Sequence, residues 1–132
     1  MTAQELFNLT AGIMGITQNN ALNYQDTVLF QLNTVLSQTF NLENNNREFL
    51  GIAKLTTIPT VSLLSDTLTY QDNVLRNVVV FGLAQLMSLS DDDVVKANFF
   101  ENRYVDGMGT ERKVLSVPIT DYFSTESLWI SL

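Results

Sequence analysis

The chain has 132 residues, with 14 acidic side chains against 7 basic ones, a net charge of −7, and neither cysteine nor histidine. That length suits one domain with a modest core, and an apolar content of 45% suits a folded chain. The missing residues exclude disulfides, thiolate metal sites, Cys/His and Ser/His/Asp catalysis, and the acidic balance argues against sequence-specific DNA binding. Only 16% of residues are charged, below the usual proportion of about a quarter. The polar surface is built from Asn, Gln, Ser and Thr instead. Such a surface suits a protein whose sides are buried against neighbours; a residue bias of the source genome explains it equally well. No charged-then-apolar leader opens the chain, and no apolar run approaches bilayer length. The expectation is a soluble protein, made and assembled in a cytoplasm, with no membrane contact.

Thr2-Ala-Gln-Glu5 reads as a capping box opening the first helix, in which the threonine hydroxyl takes an otherwise orphaned N–H. Leu6, Leu9, Ile13 and Ile16 follow at helical spacing, with Phe7 and Met14 beside them. Gly12 and Gly15 weaken this helix by roughly 1 kcal/mol each relative to alanine. They admit either close approach of another backbone or a frayed last turn. Asn19-Asn20 is a break.

The second helix is expected from near Asn23 to about Asn41. Its apolar stripe is Val28, Leu29, Leu32, Val35, Leu36 and Phe40. The opposite face carries Gln31, Asn33, Thr34, Ser37 and Gln38, with no charge. Such a face fits a helix lying on a neighbouring subunit, which makes Gln31, Thr34 and Gln38 candidate interface residues. Tyr24-Gln-Asp-Thr-Val-Leu29 echoes Tyr70-Gln-Asp-Asn-Val-Leu75. The echo is too short to be a repeat, and reads as two helices using one N-terminal solution, with the aspartate placed to cap.

From Leu42 to Thr69 the pattern turns irregular. Asn44-Asn45-Asn46 reads as a turn. Phe49 to Leu55 and Thr56 to Leu64 read as two short strands or an extended arm, broken by Pro59, which favours an edge. The stretch from Tyr70 to Met108 then organises the chain as tandem helices split at Ser90-Asp91-Asp92-Asp93. The first, Asp72 to Leu89, repeats apolar pairs at 74/75, 78/79, 82/83 and 86/87. Val80 and Phe81 fall off that stripe, so this helix is expected to be covered on more than one side. The second opens with Ser90 as its cap and the aspartates against the positive end of the dipole. It carries Val94, Ala97, Phe100 and Val105, and ends at Gly107 and Gly109.

After Gly109 come the basic pair Arg112-Lys113, an alternating stretch from Val114 to Ile119 with Pro118, and the terminal Asp121 to Leu132. Tyr122, Phe123, Leu128, Trp129 and Ile130 carry much apolar area without helical period, which is costly to leave in water. They are candidate partner-binding residues of a segment that docks on its own domain, a neighbour or another protein. No catalytic constellation emerges, and no enzyme activity, cofactor or metal is expected. Asp91, Asp92 and Asp93 lack calcium-loop spacing and read as capping. Asp106-Gly-Met-Gly-Thr reads as a helix end. The pairs Glu101/Asp106 and Glu43/Glu48 read as solvated faces.

Met1-Thr-Ala-Gln-Glu-Leu-Phe-Asn-Leu9, Val78-Val-Val-Phe-Gly-Leu-Ala-Gln-Leu-Met87 and Ser90-Asp-Asp-Asp-Val-Val-Lys-Ala-Asn-Phe-Phe-Glu-Asn-Arg-Tyr104 resemble segments of the small head–tail adaptor, or connector, proteins of tailed bacteriophages. The resemblance covers roughly residues 1–40 and 70–108. It implies a helical bundle with an extended arm; joined to the reading of the residues, the expected fold is mainly α, a small helical bundle with a central extended/β arm and an extended C-terminal tail. The helical adaptor domain would be 1–110, with the arm at about 43–69, and the docking segment 111–132. It further implies a structural virion protein at the neck, forming a homo-oligomeric, dodecameric ring below the portal protein. That ring extends the DNA channel, lets DNA pass without sequence-specific binding, and presents the surface for the tail or stopper protein. A tail-completion protein of the neck, or a cytoplasmic helical protein-binding module, are the alternatives. The long aromatic tail and the Asn-rich exit of the second helix depart from the family's pattern.

Overall fold

The computed structural model describes residues 1–114, and the protein is mainly helical. In chain order come α1 (Ala3–Met14), a short α2 (Gln18–Ala21), a 3-10 turn (Leu22–Tyr24) and the long α3 (Gln25–Phe49). After an irregular segment, a helical run is built from α4 (Asp72–Val74), a π turn (Leu75–Val79) and α5 (Val80–Ser90), and α6 (Val94–Thr110) follows.

α1 starts as its sequence dictates, with the Thr2 hydroxyl accepting from the Glu5 N–H at 3.2 Å. Gly15 ends it at φ 73°, the left-handed conformation that suits glycine, and its N–H returns to the Ala11 and Gly12 carbonyls. Nothing lies within 4 Å of a methyl group placed on Gly12, so this glycine answers to no close neighbour.

α5 is the centre. It packs against α1, α3 and α6, and Val80, Gly82, Leu83, Ala84 and Met87 are all buried. The off-stripe Val80 is 1% exposed, in line with a helix covered on several sides. Gly82 lets the neighbours in: a Cβ there would sit 2.7 Å from the Tyr104 ring of α6 and 2.8 Å from Val35 of α3. The Tyr104 hydroxyl donates to Gln38 Oε1 at 2.8 Å, and Asn46 Nδ2 donates to the Glu111 carbonyl at 2.9 Å. α3 and α6 therefore run in the same direction. Gln31 Nε2 reaches the Leu86 carbonyl at 3.3 Å while Val35 meets Gly82, so α5 runs opposite to α3.

Several expectations are corrected. α3 continues to Phe49 instead of stopping near Asn41, and Asn44, Asn45 and Asn46 are helical. These side chains point at other backbone groups and leave their own helix intact. Asn44 exchanges two hydrogen bonds with Leu55, at 3.0 and 2.8 Å. Asn33 does the same with Val61, at 2.9 and 2.7 Å. Each primary amide offers a donor beside an acceptor, as an adjacent strand would. The suggested strands Phe49 to Leu55 and Thr56 to Leu64 are accordingly absent, and no strand occurs among the described residues. The segment's polar backbone is answered by helix side chains and by α1: Thr2 and Thr67 form an isolated antiparallel bridge, and the Ala3 N–H donates to the Asp66 carbonyl at 2.9 Å.

Ser90 is the last residue of α5, its hydroxyl donating to the Leu86 carbonyl at 3.1 Å. The cap of α6 is Asp93, whose carboxylate accepts from the Lys96 N–H at 3.1 Å. The intervening Asp92 takes φ 58°, so the chain turns a tight corner before α6 begins. α6 runs through Gly107 and Gly109 to Thr110. Gly107 is there for contact: a Cβ would stand 2.5 Å from the Asn77 carbonyl oxygen, which belongs to the π turn. Glu43 is fully buried instead of solvated. Its carboxylate takes Arg47 Nε at 2.6 Å and the Gln71 N–H at 2.9 Å. Arg47 in turn donates to the carbonyls of Thr69 at 2.6 Å and Ala53 at 3.1 Å, so one ion pair on α3 holds both ends of the irregular segment.

Candidate functional site

One end of the bundle collects the C-termini of α1 and α5 and the N-termini of α3 and α6. Lys96 on α6 donates to the Met14 carbonyl of α1 at 3.4 Å, and the Tyr24 hydroxyl, just before α3, donates to the Asp91 carboxylate. Between them lies a cleft of about 250 Å³ whose lining includes Tyr24, Ser88, Asp91, Asp93 and Lys96. The hydrogen bond to Asp91 holds the proton on Tyr24, with help from partial burial and the nearby negative charge, and pushes its pKa up to about 12. Ser88 is 1% exposed, and its hydroxyl has no hydrogen-bond partner among the described residues. A buried polar group without a partner carries a desolvation penalty.

Large apolar side chains stand exposed among the polar ones on the elements that meet at this end. Phe30 is 79% exposed, Val95 81%, Leu22 61% and Val94 59%. Phe30 and Thr34 of α3 line a groove with Leu86, Leu89 and Ser90 of α5. Phe99 and Phe100 make a T-shaped pair, and the Arg103 guanidinium lies 5.3 Å from the centre of the Phe99 ring.

The three candidate interface residues fall differently. Gln31 turns inward, donating to Ser90 Oγ at 2.7 Å. Thr34 lines the groove, its hydroxyl donating to the Phe30 carbonyl at 3.1 Å. Gln38 lies on the surface and holds Tyr104. Tyr122, Phe123, Leu128, Trp129 and Ile130 lie outside the described residues. Asp91, Asp92 and Asp93 divide: Asp93 caps, Asp91 takes the tyrosine, Asp92 makes the corner. Sequence reasoning missed Ser88 and Tyr24, which look like an ordinary helix residue and a helix-start aromatic. The separation of Tyr24 from Asp91 leaves no local signal. Among the described residues no group of three or more acidic side chains is placed to hold a metal ion, and no helix is long and apolar enough to cross a membrane. No family model, curated protein or solved structure matches the chain.

Proposed function

We propose that this chain is a structural, non-enzymatic virion protein of a tailed phage, a head–tail adaptor that assembles as a ring below the portal and carries the DNA channel onward to the tail or stopper. The observation that carries the reading is the set of exposed apolar side chains, Leu22, Phe30, Val94 and Val95, on the elements that meet at one end of the bundle. Phe30 and Val95 present most of their surface to water, where large side chains gather in numbers chiefly at contacts with other chains. The resemblance of residues 1–40 and 70–108 to adaptor proteins supplies the biological setting. The net charge of −7 suits a channel through which DNA slides, because phosphates are repelled.

In this reading the part of the expected 43–69 arm that lies beyond α3 serves as the central arm, clamped by Asn33 and Asn44, and Tyr122, Phe123, Leu128, Trp129 and Ile130 form the docking segment that covers the exposed apolar side chains of a neighbouring copy. A ring built from one chain needs two unlike surfaces per subunit, and these are the two. The test is native mass spectrometry with negative-stain microscopy, with and without portal protein. Closed rings, or oligomers that form on the portal, support the proposal. A chain that stays monomeric at high concentration and ignores the portal overturns it.

A further inference from the structure

From Thr27 to Leu42, α3 carries no charged side chain. Phe30, Thr34, Ser37, Asn41 and Asn45 recur three or four residues apart, which sets them in one row along the helix. Phe30, Ser37 and Asn41 are exposed, and Thr34 and Asn45 are half-buried. On one flank of the row runs the segment held by Asn33 and Asn44. On the other, Gln38 takes the Tyr104 hydroxyl of α6. A neutral row between two occupied flanks suits an occupant without charge, because a charged side chain laid there would lose water and gain no opposite charge.

The chain supplies one. Asn45, at the head of the row, donates to the Lys113 carbonyl at 2.9 Å, and the Lys113 N–H donates to Asn46 Oδ1 at 2.9 Å. Amides of α3 thus hold both backbone groups of Lys113, as Asn44 holds those of Leu55. The chain beyond Lys113 therefore starts at one end of the row. Residues 114–120, Val-Leu-Ser-Val-Pro-Ile-Thr, carry no charge. From Asn45 to Phe30 the row measures about 22 Å at the helical rise. An extended chain covers that distance in about seven residues, which is the length of 114–120. The flanking segment sets the precedent, running from Leu55 at Asn44 to Val61 at Asn33. The far end of the row opens into the groove of Phe30, Leu86 and Leu89, and Tyr122-Phe123 follows Thr120 almost at once.

Resting on the ring reading for its destination, we propose that residues 114–120 lie along this row of their own α3. They thereby deliver residues 121–132 to the end of the bundle where adjacent copies meet. In a cyclic ring the same ends of neighbouring subunits stand side by side, so a segment brought there reaches the next copy. Asn41 holds the passing backbone as Asn33 and Asn44 hold theirs, with a donor beside an acceptor.

The test introduces cysteine pairs into the full chain, which has no cysteine of its own. Ser37→Cys with Val117→Cys joins positions that the extended register sets opposite each other, and Asn41→Cys with Leu115→Cys does the same nearer Asn45. Under mild oxidation each pair should close a disulfide within one chain at least about tenfold faster than Asn98→Cys with Val117→Cys. Asn98 serves as the reference because it is exposed on α6. The two pairs back each other where one variant fails to keep the helical circular dichroism. Disulfides at monomer mass on a non-reducing gel support the proposal. Bridges that form only between copies put the segment on the neighbour's row and overturn it, as does closure no faster than the reference. Native mass of the wild type reads the ring separately. Rings without the bridge lose this contact alone, and a monomer that forms it loses the ring alone.

Discussion

At the scale of single residues, the buried pair on α3 sets the largest local stake. Glu43 has no exposed surface and Arg47 little, so removing one partner strands the other charge where water cannot reach it. Glu43→Gln or Arg47→Met should destabilise the fold by about 3–5 kcal/mol, read as a shift in the urea midpoint. A shift below about 1 kcal/mol would mean that water reaches the site. Glycines give an opposed pair of predictions. Gly12→Ala, with open space around it, should stabilise α1 by up to about 1 kcal/mol. Gly107→Ala should destabilise by about 1–3 kcal/mol, because its methyl group would meet the Asn77 carbonyl at 2.5 Å. Tyr24 adds a pH dependence. Its pKa rises to about 12 in the fold, above the unfolded value of about 10. The folded state therefore keeps a proton that the unfolded state loses, and this contribution is full below about pH 10 and fades as the pH rises through about 12. Tyr24→Phe should remove that part of the alkaline decline in thermal stability, while Tyr70 and Tyr104, both raised chiefly by burial, keep theirs.

At the scale of elements, the start of α1 and the central helix were legible because their signals are local, whereas the stripe expected on α1 was misplaced: Leu9 and Ile13 are exposed, and Phe7 and Met14 are buried. The Thr2 cap, the 74/75 to 86/87 pairing and the off-stripe Val80 all act within a few residues of where they stand. The strands and the Asn44–Asn46 turn were misread because asparagine signals a turn only when its amide folds back on its own backbone. Here Asn44 and Asn33 reach segments 11 and 28 residues away, a choice made by tertiary packing. Ser90 lost the cap to Asp93 for a similar reason, since α5 continues through it and the corner falls at Asp92. The clamps can be tested directly. Asn33→Ala with Asn44→Ala leaves the amides of Leu55 and Val61 without their acceptors. Hydrogen exchange at these two amides should accelerate at least about tenfold, with helical circular dichroism unchanged. Unaltered exchange would show that the segment is held by apolar contacts such as that of Val61, which is 5% exposed.

At the scale of the whole molecule, the question is what covers the end where Leu22, Phe30, Val94 and Val95 stand. The core is already complete without them: Leu32, Leu36, Leu75, Leu83 and Met87 are buried to within 1% or better. Substituting Phe30 should thus cost the monomer little, because a side chain 79% exposed loses almost no burial when it is shortened. If the same side chain is buried between copies, the loss appears only in assembly. Burying a phenylalanine is worth roughly 1.5–3 kcal/mol, and in a ring every subunit forfeits it once. Phe30→Ser should therefore leave the thermal midpoint within about 2 °C of wild type, yet weaken subunit association by about tenfold or more. Deleting residues 121–132 should do the same by withdrawing the other side of the contact, and combining the two changes should add little to either alone, since both remove one interface. A deletion that unfolds the bundle would assign those residues to its own core. Full additivity of the two changes would place them in separate contacts and part the C-terminal segment from Phe30.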